Sequence, residues 1–177
     1  TTFDCDDTLV YFPSDLESRK EPVNSRIENI NKAIKNNLAK VYVYYIETDS
    51  DIDFTTNEKT GVSDYVMKNL NTKNSHVYKI NNFEEFSQNF YKTDHHWTSY
   101  GAYLGYCDFI NSIGDKAISL ENLEDVNLSG FYGTYYSKAK PINIEADTLT
   151  YYKFKDLITG EEKDWMEGTT KFIKQEN

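Results

Sequence analysis

Residues 22–38 place Val23, Ile27, Ile30, Ile34 and Leu38 at intervals of three and four, and the run Val41-Tyr-Val-Tyr-Tyr-Ile46 follows at once. The first pattern is one face of a helix, with Pro22 suited to its first turn. The second is β-branched and aromatic throughout, as a strand buried on both faces requires. A helix running directly into such a strand marks an α/β sheet. At 177 residues the chain amounts to one domain, 1–177, large enough to bury a real core. Within it, residues 1–20 read as a candidate N-terminal extension carrying a short strand at Thr8–Phe12 and a turn at Pro13–Asp15.

Further along, Val62, Tyr65, Val66 and Leu70 predict a short helix, Val77–Ile80 a strand, and Phe83, Phe86 and Phe90 an aromatic helical stripe that belongs to the core. Thr98 to Ile113 is the clearest helix, with Thr98 as N-cap and Gly114 as its stop. Ala102, Gly105, Tyr106, Phe109, Ile110 and Ile113 share one face, and glycines at 101 and 105 admit a close neighbour. Residues 115–135 lack a clear period, and the Tyr- and Gly-rich stretch Leu128–Tyr136 reads as a site-lining loop. Asp147–Phe154 predicts a strand, with Lys163–Ile173 as its hairpin partner.

Composition excludes several functions. Against 29 Asp and Glu stand 19 Lys and Arg, a net charge of −10, and the basic residues are scattered. Such a surface repels phosphate backbones, so no nucleic-acid partner is expected. No apolar run is long enough to span a bilayer, and Thr1–Thr8 is too polar for a signal peptide. The chain does not begin with Met, so a longer natural start is expected. Two cysteines, Cys5 and Cys107, are too few for a disulfide framework and read as free thiols. The Asp49, Asp51, Asp53 series imitates the opening of a calcium loop, but Thr and Lys stand where the glycine and closing glutamate belong.

Chemistry concentrates at Asp94-His-His-Trp97, within Tyr91-Lys-Thr-Asp-His-His-Trp-Thr-Ser-Tyr-Gly-Ala102. In extended backbone, residues two apart point the same way. Asp94 and His96 are thus expected to face one site within hydrogen-bond reach, with His95 turned away. An acid that orients an imidazole, and an imidazole that takes a hydroxyl proton, are two members of a nucleophilic triad. Adjacent histidines seldom ligate one ion and no third ligand is evident, so neither a metal nor another cofactor is expected. An Asp near a helix start also serves a purely structural role by favouring the positive end of the helix dipole.

The same string resembles the DHHW protein family, and more distantly the Asp-x-His-Trp motif of alginate O-acetyltransferases. Tyr42–Glu47 resembles the strand before that motif and Gly130–Lys138 the segment after it, so the similarity runs over residues 20–155. The resemblance implies an SGNH hydrolase-like fold, a three-layer α/β/α sandwich with a mostly parallel sheet, incomplete in this chain. It implies an O-acyltransferase or acyl esterase acting on a cell-surface or secreted polysaccharide, exported from a Gram-positive bacterium. It assigns Asp94 as the orienting acid and His96 as the base, and matches Trp97 to the motif's tryptophan, a platform for a sugar ring. In the Tyr-rich loop, Tyr132 and Tyr135 are expected to bind substrate through their ring faces. The serine of a Gly-Asp-Ser turn is missing; its nearest imitation, Gly61-Val-Ser-Asp64, precedes the motif inside a helix, so Ser63 is not expected to act as nucleophile. By itself the chain is therefore expected to be inactive, and a non-catalytic carbohydrate-binding or surface module is the alternative reading.

Overall fold

A computed structural model describes residues 2–140 and 143–154. The chain opens with a hairpin of β1 (Thr2–Cys5) and β2 (Thr8–Tyr11), turned by Asp6 and Asp7, both in the left-handed region at φ 45° and 59°. Short acidic side chains tolerate that conformation better than most. Helix α1 (Leu16–Asn36) begins where Asp15 accepts the Ser18 N–H at 2.8 Å. The expected start at residue 22 is therefore six residues late. Pro22 lies inside the helix, where its missing N–H removes one intrahelical hydrogen bond. Leu38 falls beyond the helix end and is fully exposed rather than on the helical face.

The central unit is a right-sized βαβ: β3 (Val43–Ile46), two-residue strands β4 (Ile52–Asp53) and β5 (Glu58–Lys59), α2 (Val62–Asn69), and β6 (Ser75–Tyr78) parallel to β3. Strand alternation sends Val43 and Tyr45 toward Val23, Ile27, Val62, Val66 and Leu70 of α1 and α2 and the turn after it. Ile46 goes the other way, into a cluster of Val10, Ile52, Phe54, Ile80, Phe86 and Phe90. The expected burial of Val41–Ile46 on both faces is only half met: all four strand residues are partly accessible, because β3 has a single hydrogen-bonded neighbour among the described residues.

Helix α3 (Phe83–Asn89) is capped by Asn82, and its Phe stripe is core, with Phe86 and Phe90 stacked at 4.5 Å. Helix α4 (Ser99–Ser112) has the expected Thr98 cap, which accepts the Gly101 N–H at 3.0 Å. Its buried residues are the two glycines, whereas Tyr106 and Ile113 are exposed, so the inward face is rotated from the one expected. Gly101 lies on the Asn89 carbonyl and Gly105 under the Trp97 ring; a Cβ at either position would overlap them.

Residues 115–135 hold more order than expected. Strand β7 (Leu123–Phe131) pairs antiparallel with β8 (Asp147–Phe154), bulging near Gly130, and α5 (Thr134–Ala139) follows. The stretch Leu128–Tyr136 is thus the end of a strand and the start of a helix. The proposed partner Lys163–Ile173 lies outside the described residues; the partner seen for β8 is β7. The architecture is mixed α/β. Of the four strand pairs among the described residues, only β3–β6 is parallel, where a mostly parallel sheet was expected, because the other three are closed antiparallel.

Candidate active site

The segment between α3 and α4 is a closed loop. Phe90 bridges Trp97, Thr98 N–H donates to the Asn89 carbonyl (2.7 Å), and Tyr91 N–H donates to the His96 carbonyl (3.2 Å). Three other elements hold it. From β2, the Leu9 N–H donates to the Lys92 carbonyl at 2.7 Å. At the start of β8, the Asp147 carboxylate accepts the Lys92 N–H (2.9 Å), the Thr93 N–H (2.9 Å) and the Thr93 hydroxyl (2.5 Å). From the turn into α5, the Gly133 N–H donates to Thr93 Oγ1 (2.9 Å), and the N–H groups of Tyr135 and Tyr136 donate to the Thr93 carbonyl. Thr93 is completely buried, so these bonds satisfy groups that water cannot reach.

This frame fixes Asp94, only 3% exposed. Its Oδ2 accepts the Thr134 N–H at 2.6 Å. Its Oδ1 accepts the His96 N–H at 2.9 Å and lies 2.5 Å from His96 Nδ1. Burial pushes the Asp94 carboxyl toward the neutral form, but the Thr134 and His96 N–H groups and the imidazole more than offset it, and its pKa falls below the ordinary aspartate value. The His96 side chain is 68% exposed. A buried acid bonded to Nδ1 leaves the far nitrogen, Nε2, as the one able to receive a proton.

His95 does not turn away. By accepting the N–H two residues on, Asp94 curls the backbone into an Asx turn instead of leaving it extended. The His95 ring sits 3.8 Å from that of His96, with its Nδ1 3.4 Å from Asp94 Oδ1 and 2.7 Å from Thr134 Oγ1. The structure thus brings three titratable side chains together at one opening.

The comparisons with known proteins bear on this loop. The DHHW protein family matches residues 24–174, a span that includes the loop and every element that holds it except the N-terminal hairpin. The chain belongs to the DHHW protein family. A DHHW family protein from Eubacterium siraeum DSM 15702 has a similar fold, with a TM-score of 0.59 and 17% identity over 85% of this chain and 53% of that one. Bacillus cereus PatB1 is similar at a TM-score of 0.55 and 20% identity, over 88% of this chain and 59% of that one. The chain therefore spans between half and three fifths of the length of these two structures. Comparison with curated proteins gives no match.

Within the DHHW loop, Trp97 is half-buried. Its ring packs on Gly105 and meets Tyr78 edge to face at 6.4 Å, beside the Phe-rich core. Tyr135 is buried, and its hydroxyl donates to Asp49 Oδ2 at 2.8 Å, with its ring 5.8 Å from that of His95. Tyr132 is exposed and packs its ring on Tyr136 at 4.2 Å. Of the five residues singled out from the sequence, Asp94 and His96 meet directly, Tyr135 lies behind them, and Trp97 and Tyr132 pack on other partners.

The acids after β3 are hydrogen-bond hubs rather than an open loop. Asp49 accepts the Tyr11 N–H (2.8 Å) and the Tyr135 hydroxyl, and burial raises its pKa. Asp51 accepts the Tyr45 hydroxyl at 2.7 Å, and burial raises its pKa too. Asp53 accepts the Thr55 N–H and hydroxyl. Ser63 is buried and donates to Glu47 Oε1 at 2.6 Å, while Glu47 Oε2 pairs with Lys59 at 2.5 Å. Asp147 was not found from the sequence, whereas Thr93 lies in the motif and Gly133 and Thr134 in the Tyr- and Gly-rich stretch expected to line the site, without roles of their own. Those roles come from contacts between residues 40 or more apart, which no local pattern encodes.

Proposed function

We propose that this DHHW protein supplies the acid and base of an SGNH-type O-acyltransferase or acyl esterase that acts on a cell-surface or secreted polysaccharide. The Asp94–His96 pair carries the reading: a buried, doubly oriented carboxylate, 2.5 Å from the Nδ1 of an exposed imidazole. In this mechanism His96 Nε2 takes the proton of a serine hydroxyl as its oxygen attacks the acyl carbon. Asp94 stabilises the imidazolium, which then returns the proton to the leaving oxygen. The chain has no Gly-Asp-Ser turn, and the reading takes the serine from residues beyond these 177. The coverage of only 53% and 59% of the two similar structures supports that view. On the same reading the βαβ unit, with α1 and α2 on one face and the α3–α4 side on the other, is part of a three-layer α/β/α sandwich with a mostly parallel sheet. Export to the surface of a Gram-positive bacterium belongs to this proposal.

The test is hydrolysis of a chromogenic acetyl ester by the full-length protein and by its His96→Ala form. Removing a general base lowers turnover about 10²–10⁴-fold. Equal rates would remove the role given to His96. A second reading, a carbohydrate-binding module without catalysis, draws on the exposed Tyr132 ring packed on Tyr136, a flat apolar face of the kind on which sugars stack. Retention on immobilised polysaccharide that disappears in Tyr132→Ala, with no ester hydrolysis by the full-length protein, would favour it.

A further inference from the structure

We propose that Asp94, His95 and His96 form a binding site for zinc(II). One ligand atom from each lies within 4.8 Å of the other two. A tetrahedral zinc holds its nitrogen and oxygen ligands at about 2.0–2.2 Å, which sets them roughly 3.5 Å apart. Closing the cluster onto an ion therefore takes ring movements of about an ångström. The two imidazoles that must move are exposed, at 47% and 68% of their side-chain surface. The carboxylate that must stay is buried and fixed.

Thr134 prepares both outer ligands from behind. Its N–H occupies Asp94 Oδ2, leaving Oδ1 as the atom directed at the rings, and its hydroxyl lies 2.7 Å from His95 Nδ1, which holds that ring beside the carboxylate. Metal-binding carboxylates and imidazoles are held in this way by partners of their own. Two imidazoles and one carboxylate suit zinc, whereas magnesium and calcium favour all-oxygen sites. The fourth position faces solvent and would hold water.

The ion and the proton compete for the same groups. Zinc on the cluster takes Asp94 Oδ1 and a His96 nitrogen out of the acid–base pair. On the acyl-transfer reading, on which this consequence alone rests, zinc stops ester hydrolysis and a chelator restores it.

The experiment is calorimetric titration of the full-length protein, first stripped with a chelator, with zinc chloride and separately with magnesium chloride. One zinc per chain is expected, with affinity at least tenfold lower in His95→Ala and in His96→Ala, and unchanged in His76→Ala, the third histidine, which lies on β6 with its Nε2 2.9 Å from Asp108. Magnesium is expected to give no binding. Absence of zinc binding would overturn the site, as would binding that survives both His95→Ala and His96→Ala or is lost in His76→Ala. Circular dichroism confirms that each variant is folded. Because the titration needs no turnover, a protein that binds zinc as described and hydrolyses no ester retains the site and loses only the acyl-transfer reading.

Discussion

A Cβ placed on Gly133 would lie 2.2 Å from the Cβ of Asp94. The backbone entering α5 thus runs directly against the acid, and that closeness lets the next N–H, from Thr134, reach Oδ2 at 2.6 Å. Gly133→Ala has no strain of its own to overcome, since φ is −86°. It must push Asp94 or α5 aside. Overpacking of this kind costs about 1–3 kcal/mol. Urea denaturation is expected to show that loss; on the acyl-transfer reading, ester hydrolysis by the full-length variant falls with it, since the Asp94–His96 contact is displaced.

Asp147 accepts three donors from Lys92 and Thr93 and offers none in return. An asparagine turns an amide N–H₂ toward at least one of those donors. Hydrogen bonds to a charged group contribute about 1.5–3 kcal/mol each, and a buried donor left unpaired adds to the loss. Asp147→Asn is therefore expected to lower stability by about 2 kcal/mol or more, measured by denaturation. Thr93→Val, which removes the hydroxyl between Asp147 and Gly133, should cost a similar amount, and the double variant less than the sum, because both act on one network.

Asp94 and Asp49 oppose each other in their response to pH. The Asp94 pKa is lowered in the folded protein, so the unfolded chain binds its proton first as pH falls. Its contribution is full above the unfolded value, about 3.9, and is lost as pH drops through the lower folded value. The Asp49 pKa is raised by burial, so its contribution is full below the unfolded value and is lost as pH rises through the folded one. Denaturation at a series of pH values should show a flatter acid limb for Asp94→Asn. For Asp49→Asn the stability relative to the parent should improve from pH 4 to pH 7.

Gly105→Ala sets a Cβ 2.5 Å from the Trp97 ring. The half-buried ring lies between α4 and the Phe-rich core. A loss of about 1–3 kcal/mol is expected, together with a shift in tryptophan emission as Trp97 is displaced toward water. Unchanged emission and stability would mean that the helix moves instead of the ring.

The sequence was most legible where structure is decided locally. Thr98 caps α4 and the Phe stripe is buried, because each depends on residues three or four apart. Pro22 makes helix α1 look short from its sequence, whereas the cap is Asp15, a residue type that favours that position. Strand β7 escaped because it lies open to solvent along most of its length, so no alternation of apolar and polar residues marks it. At the site, Asp94 and His96 lie as near as expected but not through an extended backbone: the Asp94 side chain accepts the His96 N–H and bends the chain, and the same turn brings His95 in beside them.

Asp49 ties the opening hairpin to α5: one carboxylate oxygen accepts both the Tyr11 N–H and the Tyr135 hydroxyl. Val10 of the same hairpin is wholly enclosed, and Leu9 packs with Tyr135 and Ile144. The first dozen residues therefore act as a keystone. A protein trimmed to begin at Pro13 would lose more than a tail, since it would open the floor beneath the Asp94–His96 loop, and a protease that nicks the hairpin would loosen that loop from a distance.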